Sequence, residues 1–148
     1  MPGCYLSWED RVNGAEYVSS LDDLLAASDF VTFHVPLNSG TRHMMGAREL
    51  GLMKPSAYIV NASRGDVVDE QALIAALENR TIAGAALDVF ANEPHVYPNP
   101  LFEMDNVVVS PHIAGMTRES SDRVGIHAAM GIDDVLSGRE PEWPADRE

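Results

Sequence analysis

Short apolar runs alternate with segments of helical periodicity along this chain, and that alternation most narrows what it can fold into. Phe30 to Val35, Ala57 to Val60, Ile82 to Val89 and Val107 to Ser110 are β-prone stretches of strand length. Between them, Leu21 to Ala27, Gly46 to Met53 and a stretch from Asp69 through about Asn79 read as helices. Ser20 suits the N-cap of the first, with Asp23 three residues on in capping-box spacing. Lys54-Pro55 ends the second, because proline cannot continue a helix. Asp69 suits the cap of the third, in which Leu73, Ile74, Ala76 and Leu77 share a face. Strands that are apolar throughout, separated by helices, predict a parallel sheet covered on both faces.

Thr117 opens a longer helical stretch in which Val124, Ala128, Ile132, Val135 and Leu136 recur at helical spacing, with Gly125 and Gly131 weakening it and Gly138 as its stop. The expected organisation is one domain over residues 1–138, closing with the helix from about 117, and a mobile Pro- and Glu-rich tail over 139–148. Pro94, Pro98 and Pro100 make Asn92 to Asn106 the one long irregular loop, and loops of that length in compact domains are often functional.

Composition removes several classes of function. A formal charge of −13 and a pI near 4.6 oppose binding to nucleic acid or to an anionic membrane surface. The single cysteine, Cys4, has no internal partner, which fits a reducing compartment, and no Cys/His cluster has metal-ligand spacing. Met1-Pro2-Gly3-Cys4 does not open a signal peptide, and no apolar run has membrane-spanning length. A cytoplasmic protein is expected.

In parallel α/β sheets, ligands bind at the carboxyl ends of the strands. Three chemically suggestive side chains fall just past strands: Arg64, Glu93 and His112, with Asp88 beside them. Together they suit reduction of a carbonyl next to a carboxylate. A planar guanidinium grips the carboxylate bidentately and stays charged. An imidazole exchanges protons near neutrality, and an adjacent carboxylate fixes its tautomer and favours its protonated form. Singly, each has a plainer explanation as a surface or turn residue. His34 is expected to pack inside its strand and His127 to lie on a helix face, and nothing raises His43 or His95 above such roles.

The segments that carry these residues add a resemblance. Leu21-Asp22-Asp23-Leu24-Leu25, His34-Val35-Pro36-Leu37 with Thr41-Arg42-His43, Met53-Lys54-Pro55, Asn61-Ala62-Ser63-Arg64-Gly65, Val68-Asp69-Glu70, Ala83 through Phe90, Glu93-Pro94 and Pro111-His112-Ile113-Ala114-Gly115 stand in order. The chain resembles the D-isomer-specific 2-hydroxyacid dehydrogenases, of the glyoxylate/hydroxypyruvate reductase kind, from about Ser20 to Arg123. The resemblance implies a Rossmann-type doubly wound parallel sheet, NAD or NADP as cofactor, a small 2-oxo or 2-hydroxy acid as substrate, and dimers. It implies that Arg64 binds and polarises the substrate, that His112 is the acid/base and Glu93 its partner, and that Asp88 orients the nicotinamide. Val35, Ala62, Ser63, Ala114 and Gly115 would line the cofactor.

One part of the family's pattern is not found. No G-x-G-x-x-G turn is present, since Gly3 and Gly14 are isolated, so the first strand, turn and helix of the fold are expected to be lacking. Tyr5 to Trp8 would be the second strand, with Glu9 or Asp10 at the ribose position and Arg11 leaving NAD against NADP open. The chain is therefore expected to be the C-terminal part of a longer dehydrogenase, weakly active or inactive by itself. Two other functions compete: a dinucleotide-responsive binding protein, like the C-terminal-binding-protein corepressors of the same fold, and a non-catalytic assembly fragment.

Overall fold

The computed structural model describes residues 17–94 and 98–144, which leaves the expected strand Tyr5–Trp8, with Glu9, Asp10 and Arg11, outside the described residues. The chain divides into two compact units, residues 1–112 and 113–148.

In the first unit, α1 (Leu21–Ala27), β1 (Phe30–Phe33), α2 (Ala47–Leu52), β2 (Tyr58–Asn61), α3 (Glu70–Glu78), β3 (Gly84–Leu87) and β4 (Val107–Val109) follow one another. Two 3-10 turns, Gly65–Val67 and Pro100–Phe102, fall between them. The strands form one sheet in the order β1-β2-β3-β4, every neighbour parallel. This is the α/β architecture the alternation predicts.

Local chemistry sets the helix starts. The Ser20 hydroxyl accepts from the Asp23 amide at 3.3 Å, and one Asp69 carboxylate oxygen accepts from Gln71 at 3.1 Å and Ala72 at 3.2 Å. Gly46, expected inside α2, is instead its N-cap, with its amide donating to Glu49. α3 then lays Leu73, Ile74, Ala76 and Leu77 into a core shared with Leu25, Val31, Phe33, Met45, Leu50, Ile59 and Leu87. Each fully buried leucine or isoleucine contributes about 1.5–3 kcal/mol relative to exposure.

The strands are shorter than their apolar runs. Ile82, Val89 and Phe90 are buried yet lie outside the β3 ladder. Apolar continuity reports burial, whereas a strand also needs a hydrogen-bonded neighbour. His34 likewise lies past the end of β1: it is exposed rather than packed, with its Nε2 3.1 Å from the Thr32 hydroxyl.

Within the first unit, the two faces of the sheet differ in exposure among the described residues. Register aligns Phe33, Asn61, Leu87 and Val109 in one row, and Val31, Ile59, Ala85 and Val107 in another on the same face. Most of these are buried, but on the opposite face Phe30, Tyr58 and Val108 are 70%, 43% and 71% exposed. Phe30 and Tyr58 stack there at 5.5 Å, partly sheltering each other.

The second unit holds α4 (Arg118–Leu136), capped by the Thr117 hydroxyl accepting from Ser120 at 3.1 Å. The helix runs through Gly125 and Gly131 without a break and ends at Gly138, whose φ of 72° is the left-handed value that favours glycine at a helix stop. No residue of α4 is buried. The His127 ring, on this helix as expected, stacks on Trp143 at 4.1 Å.

Candidate active site

The row of Asn61, Leu87 and Val109 marks the carboxyl edge of β2, β3 and β4. Arg64 stands three residues past it on β2, Asp88 one past it on β3, and His112 three past it on β4. Neighbouring strands lie about 4.8 Å apart, so Arg64 and His112 leave strands separated by roughly 10 Å, room for a small molecule between them.

The turn after β2 is built by Asn61, which is 1% exposed. Its Oδ1 accepts from the Ser63 amide at 3.1 Å and the Ser63 hydroxyl at 3.0 Å, while its Nδ2 donates to the Arg64 carbonyl at 3.0 Å. Both ends of the amide are thereby used, and no buried side-chain polar atom among the described residues lacks a partner. The turn presents an exposed Arg64, whose Nη1 donates to the Ser63 carbonyl at 2.7 Å. Asp66, in the following 3-10 turn, forms an ion pair with Arg42.

Gly65 explains how this turn fits the next strand. A Cβ there would lie 2.0 Å from the Phe90 carbonyl carbon and oxygen and 2.5 Å from the Ala91 nitrogen. Only glycine lets the two backbones approach this closely.

Beyond β3 and β4 the chemistry converges. His112 Nδ1 lies 2.6 Å from Glu93 Oε2, and Glu93 Oε1 accepts from the Phe90 amide at 2.9 Å. Partial burial works against the charged Glu93, but the hydrogen bonds from His112 and Phe90 and the charge of His112 outweigh it. Nearby Asp88 also opposes ionisation, and the balance still holds the Glu93 carboxyl below its ordinary range. An ionised carboxylate only accepts, so His112 Nδ1 must carry the hydrogen and Nε2 is the nitrogen left to exchange a proton.

His112 has φ 54°, the left-handed region that non-glycine residues rarely adopt. Such a conformation persists where surrounding contacts impose it, often at working sites. Its side chain is 49% exposed, so a small substrate can reach it.

Asp88 is 5% exposed and accepts a short hydrogen bond from the Ser110 hydroxyl. Asp88, Glu93, Ser110 and His112 line a cleft of about 470 Å³ whose remaining wall is apolar, built from Phe90, Phe102, Val109 and the two prolines Pro94 and Pro111. Phe90 and Phe102 contact each other at 5.1 Å. A flat ring with one polar substituent suits such a wall, with Asp88 placed for the polar end.

The structure thus brings Asp88, Glu93 and His112 to one cleft and Arg64 to the same sheet edge. Ser63 is buried and Ala62 and Val35 half-buried on that edge. Ala114 and Gly115 belong to the second unit, so the geometry of the first does not include them. Asn61, Gly65 and Ser110 were not singled out by their own chemistry, although each lies inside or beside a motif that was. Among the described residues no group of His, Cys, Asp and Glu could hold a metal ion, and no helix is long and apolar enough to cross a membrane.

The family described as D-isomer specific 2-hydroxyacid dehydrogenase, NAD binding domain, matches residues 6–114. D-3-phosphoglycerate dehydrogenase of Escherichia coli (strain K12) is 46% identical over 136 residues, covering 86% of this chain and 33% of that protein. Glyoxylate reductase of Thermococcus litoralis is 48% identical over 128 residues, covering 86% and 38%. Among solved structures, the holo form of Rhodotorula graminis D-mandelate dehydrogenase superposes with a TM-score of 0.83 at 37% identity, covering 90% of this chain and 39% of that one. The chain spans roughly a third to two-fifths of the length of these relatives.

Proposed function

The chain belongs to the D-isomer-specific 2-hydroxyacid dehydrogenase family, over the NAD-binding domain, and on that premise we propose that it carries the catalytic residues of an oxidoreductase interconverting 2-oxo acids and D-2-hydroxy acids. The observation that carries this reading is the His112–Glu93 pair at 2.6 Å, with Glu93 held ionised. Related structures contain NAD or NADPH, and either is the proposed cofactor. The cleft beside Asp88 fits its nicotinamide end, an apolar wall for the ring and a buried carboxylate for the carboxamide. When bound, the dinucleotide supplies or accepts the hydride.

The chain's own residues do the rest. Arg64 pairs with the substrate carboxylate and draws electron density from the adjacent carbonyl. In reduction, His112 Nε2 gives a proton to the carbonyl oxygen as its carbon gains the hydride. In oxidation the same nitrogen takes the hydroxyl proton. Glu93 holds Nδ1 as the donor, so that only Nε2 participates. Asp88, steadied by Ser110, orients the nicotinamide. Ala62, Ser63 and Val35 line its approach. A dimer is part of the same proposal.

The test follows NADH and NADPH oxidation with glyoxylate, hydroxypyruvate and pyruvate, in the wild type and in His112→Gln, with dinucleotide binding measured by calorimetry. The expected result is binding in both proteins, with wild-type turnover slow or absent and any that is present falling by about 10²- to 10⁴-fold in the variant. Turnover that survives the substitution, or no dinucleotide binding by either protein, removes the proposal.

A further inference from the structure

Two successive amides past the end of β3 are each held by a different carboxylate. Phe90 donates to Glu93, as described, and Ala91 donates to Glu70 Oε2 at 3.1 Å. The other oxygen of Glu70 accepts from Asn99 Nδ2 at 3.2 Å. Asn99 in turn accepts through Oδ1 from the amide of Leu101, a core residue 1% exposed. One carboxylate therefore ties together the chain just before Glu93 and the chain that returns after it.

The carboxylate sits on a fixed support. Glu70 is the first residue of α3, whose start is held by Asp69 and whose inner face is buried through Leu73, Ile74, Ala76 and Leu77. From the turn after β2, Gly65 packs against the same Phe90–Ala91 peptide. That peptide is thus pinned between the Gly65 backbone and the Glu70 carboxylate, and the N–H of the peptide just before it donates to Glu93. A shift of the peptide would carry Glu93 away from His112.

We propose that Glu70 is a positioning residue that holds Glu93 in register with His112. Its catalytic meaning rests on the dehydrogenase reading, whereas the linkage itself is a property of the fold. The plainer role for Glu70 is a negative charge in the first turn of a helix, which the helix dipole favours regardless of any loop. That role predicts a change in stability alone. The positioning role predicts a change at His112, which lies past a different strand and is hydrogen-bonded to Glu93 rather than to Glu70.

The readout is the tautomer of the neutral His112 ring, from ring ¹⁵N shifts of the 148-residue chain labelled at histidine and assigned by comparison with His112→Gln. In the wild type the Nδ1–H form is expected to predominate, and Glu93→Ala should return the ring to the mixture of free histidine. Glu70→Ala is expected to lower the Nδ1–H to Nε2–H ratio by about threefold or more, the coupling range of residues in one hydrogen-bonded network. Glu70→Gln, which keeps one acceptor and folds even if the alanine variant does not, should move the ratio less in the same direction. If Glu93→Ala shifts the ratio but both Glu70 variants lower the melting temperature and leave the ratio unchanged, the proposal is overturned and the dehydrogenase reading stands. If Glu93→Ala itself has no effect on the ratio, the pair fails and both readings fall.

Discussion

Helices α3 and α4 carry the same kind of apolar periodicity and are both capped by a side chain, yet α3 buries four residues and α4 buries none. The difference lies outside the helices. Residues facing α3 include Leu87 and Leu101, brought in by β3 and the turn before β4, so its stripe joins a continuous core. On α4, Val124, Ile132, Val135 and Leu136 are 62–82% exposed, although their spacing is as regular. Periodicity specifies a helix and the face it would bury; it does not supply the surface to bury it against. The candidate site depends on the α3 side of this contrast, because Asp69, Glu70 and Gly65 lie within a few residues of one another and connect helix, turn and the loop that carries Glu93.

The comparison can be broken or sharpened by substitution. The largest effect is expected at Gly65→Ala. A new methyl group meeting backbone atoms of Phe90 at 2.0 Å forces the two segments apart, at a cost of about 4 kcal/mol or more. Urea denaturation measures this, and a loss below about 1 kcal/mol would show that the close approach is not needed.

A matched pair comes next. Leu77→Ala, at a site 1% exposed on α3, should cost about 2–5 kcal/mol. Ile132→Ala, at 62% exposure on α4, should cost about 0.5 kcal/mol or less. Equal losses in the two helices, read from thermal or urea unfolding, would mean that α4 is packed in solution and that the contrast is false.

The smallest effect concerns pH. The folded state holds the Glu93 carboxyl below its ordinary range. Its contribution to stability is therefore fully present above the ordinary carboxylate value and is lost as pH falls through the lowered folded value. The stability difference between wild type and Glu93→Gln, followed by unfolding midpoints from about pH 6 down to about pH 3, should narrow toward the acid end. A difference that stays constant or widens in acid would show that the carboxylate is not held ionised by its partners.

The candidate site residues were legible because their side chains have few plain uses in that company. Arg64, Asp88, Glu93 and His112 could be placed at strand ends from the apolar runs before them, and the meeting of Glu93 with His112 followed from the resemblance. Less legible were the residues that act by holding backbone. Asn61 looks like any polar residue at the end of a strand, and Gly65 like any turn glycine. Glu70 looks like a first-turn acid, and Ser110 like a linker to Pro111. Asn61 works locally, through Ser63 and Arg64, but the roles of Gly65, Glu70 and Ser110 depend on partners distant in sequence, as far as Asn99 from Glu70, and no local pattern records such a pairing. His34 shows the opposite failure, since an apolar run carried it into a strand that ends one residue earlier.

The order of strands and helices along the chain, the parallel sheet and the edge on which the candidate site residues gather were legible in the sequence, because hydrophobic spacing and capping act over a few residues. Tertiary structure alone decided how a turn glycine and a helix-end carboxylate fix the loop that presents Glu93. That outcome depends on distances between segments far apart in the chain, which are set only when the core closes.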